Sequence, residues 1–196
     1  MTIKNHIHNN NLKSDDIIHF IRNEVKRIMS KDEQLASALE SGIYDRNKKT
    51  TRFILITLER KKGNFFNKAT RDSLDKYTNS KGTLIWSIEH ILPQGVNLSD
   101  HWKDEISPDD REKAVELRDE FVHKLGNLTL TPYNSELGNK KFTEKLNFMD
   151  NGELVGLNLG LYLNNSIDKE SKIWDTDKIN ERNRKLTKDI IDIFKL

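Results

Sequence analysis

The run TLIWSIEHI, residues 83–91, constrains this chain most. Leu84, Ile85, Trp86 and Ile88 read as a strand bound for a core, and Pro93 and Gly95 end it. Yet Glu89 and His90 sit side by side at its tip, where a buried strand gains nothing from two ionisable groups. A second segment, NLTLTPY at 127–133, follows Gly126, alternates, and reads as another strand. Between the two, DDREKAVELRDEFVHKL follows Pro108 and predicts a helix over 108–125, its acids gathered at the N-terminal end as the helix dipole favours. After them, NSELGNKKFTEKLNFM predicts a helix over 134–149 carrying Leu137, Phe142, Leu146 and Met149. The order is strand, long connection, strand and helix. This is a β-β-α unit on which one histidine, one acid and several asparagines converge.

The flanks read as mostly helical. Ser14 caps a helix bearing Ile17, Ile21, Val25 and Ile28 at three- and four-residue spacing, running to about Ser30. A second helix over 32–41 ends at Gly42, a natural position after a helix C-terminus. Residues 50–62, TTRFILITLERKK, fit strand and helix equally well. Residues 67–77 predict a short basic helix, NSKG at 79–82 a turn, and 96–107 a loop anchored by Trp102. Loops with room for a small strand cover 150–174. A final helix from Asp175 or Thr176 carries Ile179, Leu186, Ile190 and Ile193. The fold class is therefore α+β, mostly α, a helical domain built around the β-β-α unit. A disordered leader spans 1–13, with His6 and His8 in it. A helical part spans 14–82, the core 83–149 with the inserted helix 108–125, and a closing region 150–196. Together these make one domain of 196 residues, enough to bury roughly 70% of the surface of the unfolded chain.

Composition removes some chemistries. There is no cysteine, which excludes zinc sites of the thiolate type and disulfides and fits a reducing cytoplasm. No apolar run reaches the ~18 residues of a membrane span, and the first residues lack the apolar core of a signal peptide. The net charge of +2 says little about partners, but its distribution says more. Residues 46–81 carry eleven Lys/Arg against three acids, and residues 99–120 carry nine acids against four bases. The basic stretch, directly before the first strand, is suited either to a polyanion or to a solvated helix face.

EHILPQ followed by HKLGNLTLTPYNSELGNKKFTEK resembles the C-terminal HNH nuclease domain of the GmrSD-type, modification-dependent restriction endonucleases. The matching features are His-x-x-Pro at His90–Pro93, Gly-Asn-Leu-Thr-Leu at 126–130, Asn134, Asn139, Phe142 and Lys145. Ile179, Arg182 and Leu186 match the closing helix of that family. The Glu-His-Ile-x-Pro-Gln string is also similar to the first HNH motif of RNA-guided nucleases. The resemblance implies a ββα-metal, His-Me finger fold and metal-dependent cleavage of double-stranded DNA in anti-phage defence. It also implies a nucleotide-hydrolysing, modification-sensing domain or partner outside these residues, in the cytoplasm of a bacterial or archaeal cell. The runners-up are a degenerate domain that binds nucleic acid without cutting, an interaction module docking on an NTPase, and a ribonuclease.

The residue types suit phosphodiester hydrolysis. A histidine near neutral pH can take a proton from water. A carboxylate and an amide oxygen leave much of the shell of Mg²⁺, or of Mn²⁺, open to water and phosphate, where the ion acts as a Lewis acid. His90 is the expected base and Glu89 a metal ligand, with Asn134 or Asn139 as the second. Asn127 belongs to the catalytic group, or pins the long connection and orients His90. Lys140, Lys141 and Lys145 are placed to reach phosphates. His123 either contacts substrate or caps the acidic helix, and Arg182 either pairs with an acid or touches DNA. One geometric condition attaches to all of this. Neighbours on a strand point to opposite faces, so Glu89 and His90 share a site only where the strand ends or bends.

Overall fold

The computed structural model describes residues 13–28, 32–78 and 82–195. The leader with His6 and His8, the end of the first helix and most of the NSKG turn lie outside the described residues. Two helices open the described chain, α1 (Ser14–Ile28) and α2 (Asp32–Glu40), followed by a single turn, α3 (Ile43–Arg46). Residues ambiguous between strand and helix form α4 (Lys48–Lys62). Asn47 settles its start, since its side chain accepts from the Thr50 amide at 3.0 Å and occupies one of the orphan donors of the first turn. Thr51, Leu55 and Leu58 then form one fully buried stripe. Packing of that stripe outweighs the weak helix propensity of the β-branched residues.

The two strands form, pair antiparallel, and are shorter than the sequence suggests. Strand β1 is Ser87–His90 and β2 is Leu128–Thr131, with Ser87 opposite Thr131 and His90 opposite Leu128. Leu84 makes only an isolated bridge to Tyr77. Between the strands, residues 96–107 hold a helix that loop reasoning did not foresee, α5 (Asp100–Ile106), with Trp102 fully buried in its first turn. The inserted helix, α6 (Arg111–Phe121), starts later and stops earlier than 108–125, because Asp110 rather than Pro108 caps it, accepting from the amides of Glu112 and Lys113. A 3₁₀ turn, Leu125–Asn127, leads into β2.

The helix expected over 134–149 is broken. α7 (Asn134–Leu137) ends at Gly138 with φ +38°, and α8 (Phe142–Leu146) starts afresh. Met149 belongs instead to a small hairpin of β3 (Met149–Asp150) and β4 (Glu153–Leu154). Asn151 and Gly152 turn it with positive φ, as a tight two-residue hairpin requires. The basic helix expected over 67–77 does not form. The Asn67 side chain accepts from the amides of Ala69 and Thr70, and such local bonds compete with a helix ladder. The molecule is α+β and mostly helical, with two small antiparallel sheets among the described residues. Among the described residues no helix is long and apolar enough to cross a membrane.

Two apolar clusters hold the fold. The first gathers Leu55 and Leu58 of α4, Trp86, Leu128 and Leu130 of β2, and Leu186 and Ile190 of the closing helix α9 (Thr176–Phe194). The second gathers Ile91, Leu92, Trp102, Phe142, Trp174 and Ile179. Each fully buried aliphatic or aromatic side chain contributes about 1.5–3 kcal/mol. Helix α9 lies so close to the 3₁₀ turn that a Cβ on Gly126 would come within 2.0 Å of the Ile179 carbonyl oxygen. Asn183 accepts from the Gly126 amide at 2.7 Å, and Arg182 donates to the carbonyls of Gly126 and Leu163. Arg182 is therefore buried and spent on hydrogen bonds inside the protein, with no salt bridge to an acid among the described residues; burial pushes it down to about 9. Gly126→Ala forces these backbones apart, at the ~1–3 kcal/mol typical of overpacking. A thermal melt should show Tm lower by about 2–12 °C; an unchanged Tm would show that the close approach is dispensable.

Candidate active site

At His90 the chain leaves the first apolar cluster and enters the second, since Ile88 packs on one and Ile91 and Leu92 on the other. A strand that ends at such a seam can present two successive residues to one space. Glu89, His90, Gln94, Gly95, Asn134 and Asn139 line a single pocket of about 260 Å³ there. The geometric condition set by the pleat is met because β1 stops at His90 and the chain bends directly afterwards.

Asn127 is not in that pocket. Its side-chain Oδ1 accepts from the Leu92 amide and the Trp174 indole, and its NH₂ donates to the carbonyls of Leu92 and Val122. All four of its hydrogen-bonding positions are used inside the protein, so Asn127 has none left for substrate. It ties the segment after His90 to the end of α6.

Lys145 departs furthest from the sequence reading. Rather than reaching a phosphate from an exposed helix face, it is fully buried, and its ammonium donates to Glu89 Oε1 at 2.5 Å and to the His90 carbonyl at 2.8 Å. One lysine therefore holds both residues of the strand tip. Burial pushes the Glu89 carboxyl up to about 7 and the Lys145 ammonium down, while the contact between them opposes both shifts. Glu89 Oε2 makes no hydrogen bond to a described residue.

His90 is held from the other side. Its Nε2 lies 3.2 Å from His123 Nδ1. Tyr44 of α3 stacks on the His123 ring and meets the His90 ring edge-on, with centroids 5.1 and 4.6 Å away. Lys48 stands over the outer side of Tyr44, 5.1 Å from its centroid. Burial, and then the charges of His123, Lys145 and Lys48, push His90 down to about 3, so its imidazole is neutral at physiological pH. His123 is half-buried and shifted down by burial. It follows the end of α6 but spends its Nδ1 on His90 rather than on the last carbonyls of that helix.

Asn134, at the start of α7, donates its NH₂ to the Ile88 carbonyl at 2.5 Å, which ties α7 to β1 and leaves its amide oxygen uncommitted. Asn139, past the break at Gly138, is exposed, and its side chain lies against Gly95. One carboxylate oxygen and two amides around open space fit a hard divalent cation that keeps several waters. They are too sparse for a cage: no group of three or more His, Cys, Asp or Glu suited to a metal occurs among the described residues. Lys140 and Lys141 are exposed beside this site, Lys140 with its ammonium 5.9 Å from the Phe148 centroid. The sequence did not single out Tyr44, which stands in no local pattern that marks it, and only the fold brings it to the strand tip.

Residues 29–189, most of the chain, match the family described as GmrSD restriction endonucleases, C-terminal domain. No curated protein and no solved structure matches.

Proposed function

Because the chain belongs to the C-terminal domain family of the GmrSD restriction endonucleases, we propose that it is a metal-dependent HNH endonuclease of the ββα-metal, His-Me finger type. It nicks or cleaves DNA in an anti-phage, modification-dependent system, working in the cytoplasm with an NTPase or modification-sensing domain that selects the target. The pocket shared by Glu89, His90, Asn134 and Asn139 at the end of β1 carries this reading.

His90 is the general base. With Nε2 engaged by His123, its Nδ1 takes the proton of the attacking water as the water oxygen bonds to phosphorus. The bond to the leaving sugar oxygen breaks, and that oxygen takes a proton from solvent. His123 and Tyr44 fix the ring, so little orientation is lost on reaching the transition state. Asn127 fixes the backbone behind it. Glu89 Oε2, with the amide oxygen of Asn134 or Asn139, would hold a Mg²⁺ or Mn²⁺ ion. When bound, the ion supplies Lewis-acid stabilisation of charge on the phosphate oxygens.

The Glu89–Lys145 pair supports a second reading, in which the domain binds nucleic acid without cutting it, because the ammonium already neutralises the carboxylate. Plasmid nicking separates the two. On the first reading supercoiled plasmid is nicked in Mg²⁺ or Mn²⁺ and untouched in EDTA. Inert protein that still shifts DNA in a gel favours the second. Titration of Asn134→Ala beside Asn139→Ala then identifies the second ligand: its variant needs much more metal for half-maximal nicking, and the other tracks wild type.

A further inference from the structure

The basic stretch at 46–81 divides once its partners are known. Arg60 is spent on Asp72 and Asp75, at 2.6 and 2.7 Å, and Lys62 approaches Asp189 at 3.4 Å. Among the described residues Lys48, Lys49 and Arg52 form no salt bridge to an acid. Lys48 and Lys49 are exposed. Arg52 donates one Nη to the Leu74 carbonyl, while its Nη1 is buried and has no hydrogen-bond partner. A folded domain gains nothing from a buried guanidinium nitrogen left unbonded.

These three cations share a groove. Positions 48 and 52 stand one turn apart on α4, and with Lys49 they line an open cleft of about 580 Å³. Its other wall includes Gln94, Asn134 and Ser135. Gln94 and Asn134 also line the pocket at the strand tip, so the cleft and the pocket are contiguous. A cleft with one sign of charge focuses its field on whatever enters it. The exposed lysines on the helix after the second strand, Lys140 and Lys141, flank the pocket elsewhere and do not line this cleft.

We propose that the cleft formed by α4 and the start of α7 seats the sugar-phosphate backbone of duplex DNA next to the bond to be cut, with Lys48 and Lys49 each meeting a phosphate and Arg52 adding its charge to the cleft wall. This rests on the nuclease reading for the identity of the polyanion. Lysines contribute affinity and register without sequence choice, and the Arg52 guanidinium, tied to the Leu74 carbonyl, adds positive charge behind them. Neutralising a phosphate releases condensed counterions, so each contact leaves a measurable trace in the salt dependence of binding.

The test measures binding of a fluorescent 30-base-pair duplex by anisotropy, without divalent metal, over a range of KCl concentrations. Lys48→Gln with Lys49→Gln should lower the slope of log Kd against log[KCl] by about 0.9 for each cation removed, hence by roughly two. Lys169→Gln with Lys172→Gln, on the loop before α9, should leave the slope as in wild type. Both pairs are exposed, so neither substitution threatens the fold. An unchanged slope in the α4 pair, or no binding of duplex by wild type, overturns the proposal. Nicking measured in parallel keeps the two readings apart. Wild type that nicks while the α4 pair keeps its full slope sinks the cleft and spares the nuclease. Wild type that never nicks while the α4 pair loses slope sinks the nuclease and spares the cleft.

Discussion

His90→Ala is expected to lower the nicking rate by about 10²–10⁴-fold, the usual range for losing a general base. That is about 3–5 kcal/mol of barrier. His90 lines the pocket, its Nε2 is held by His123, and no other histidine among the described residues lines that pocket. His101 is a natural control, since it sits on α5 beside Ser99 and Trp102, and its alanine variant should nick like wild type. His123→Ala should fall between the two, by about tenfold, because it frees the imidazole ring without removing the base. Thermal melts of each variant establish that folding is intact. A His90→Ala protein that stays folded and nicks at the wild-type rate would remove His90 from the chemistry.

The second large effect is on stability. Lys145→Met should destabilise the fold by about 3–5 kcal/mol, because it leaves Glu89 buried without its counter-charge. For a chain of this size that lowers Tm by on the order of 10 °C. The sign with pH follows from the direction of the Glu89 shift. Its folded pKa lies above the ordinary carboxylate value and reaches about 7 even with Lys145 present. Removing the ammonium raises it further. The folded state then binds more protons than the unfolded one, so stability falls as pH rises from about 4.5 through the folded pKa. The loss in Lys145→Met is therefore smallest near pH 5 and largest near pH 8. Adding Glu89→Gln should recover most of it and flatten that pH dependence. A pH-independent loss, or no recovery in the double variant, would mean that the methionine is simply badly packed.

These predictions turn on contacts of very different sequence separation, and that separation decides what was legible. The two strands, the acidic helix between them and the closing helix announce themselves by local apolar patterning. The pocket residues Glu89 and His90 stand out because ionisable side chains at a strand end have few packing reasons to be there, and Asn134 and Asn139 because they match the family motif. Helix α4 was not legible, because β-branched residues suit helix and strand alike until a tertiary partner buries one face. Nor was the break at Gly138, since the apolar spacing of Leu137, Phe142 and Leu146 continues across it.

The amino-acid order by itself determined the α+β class, the two strands and the Glu89–His90 pair at the tip of the first. Only tertiary structure decided what each polar side chain does there. Lys145 and Lys49 are chemically alike, yet one is buried against Glu89, 56 positions away, and the other is exposed at the rim of a cleft. Asn127 and Asn134 are both amides after Gly126, yet one uses every hydrogen-bonding position internally and the other keeps an oxygen uncommitted. A side chain's chemistry is written in the chain. Whether that chemistry faces solvent, an opposite charge or a buried backbone depends on which distant segment packs against it, and no local pattern specifies that.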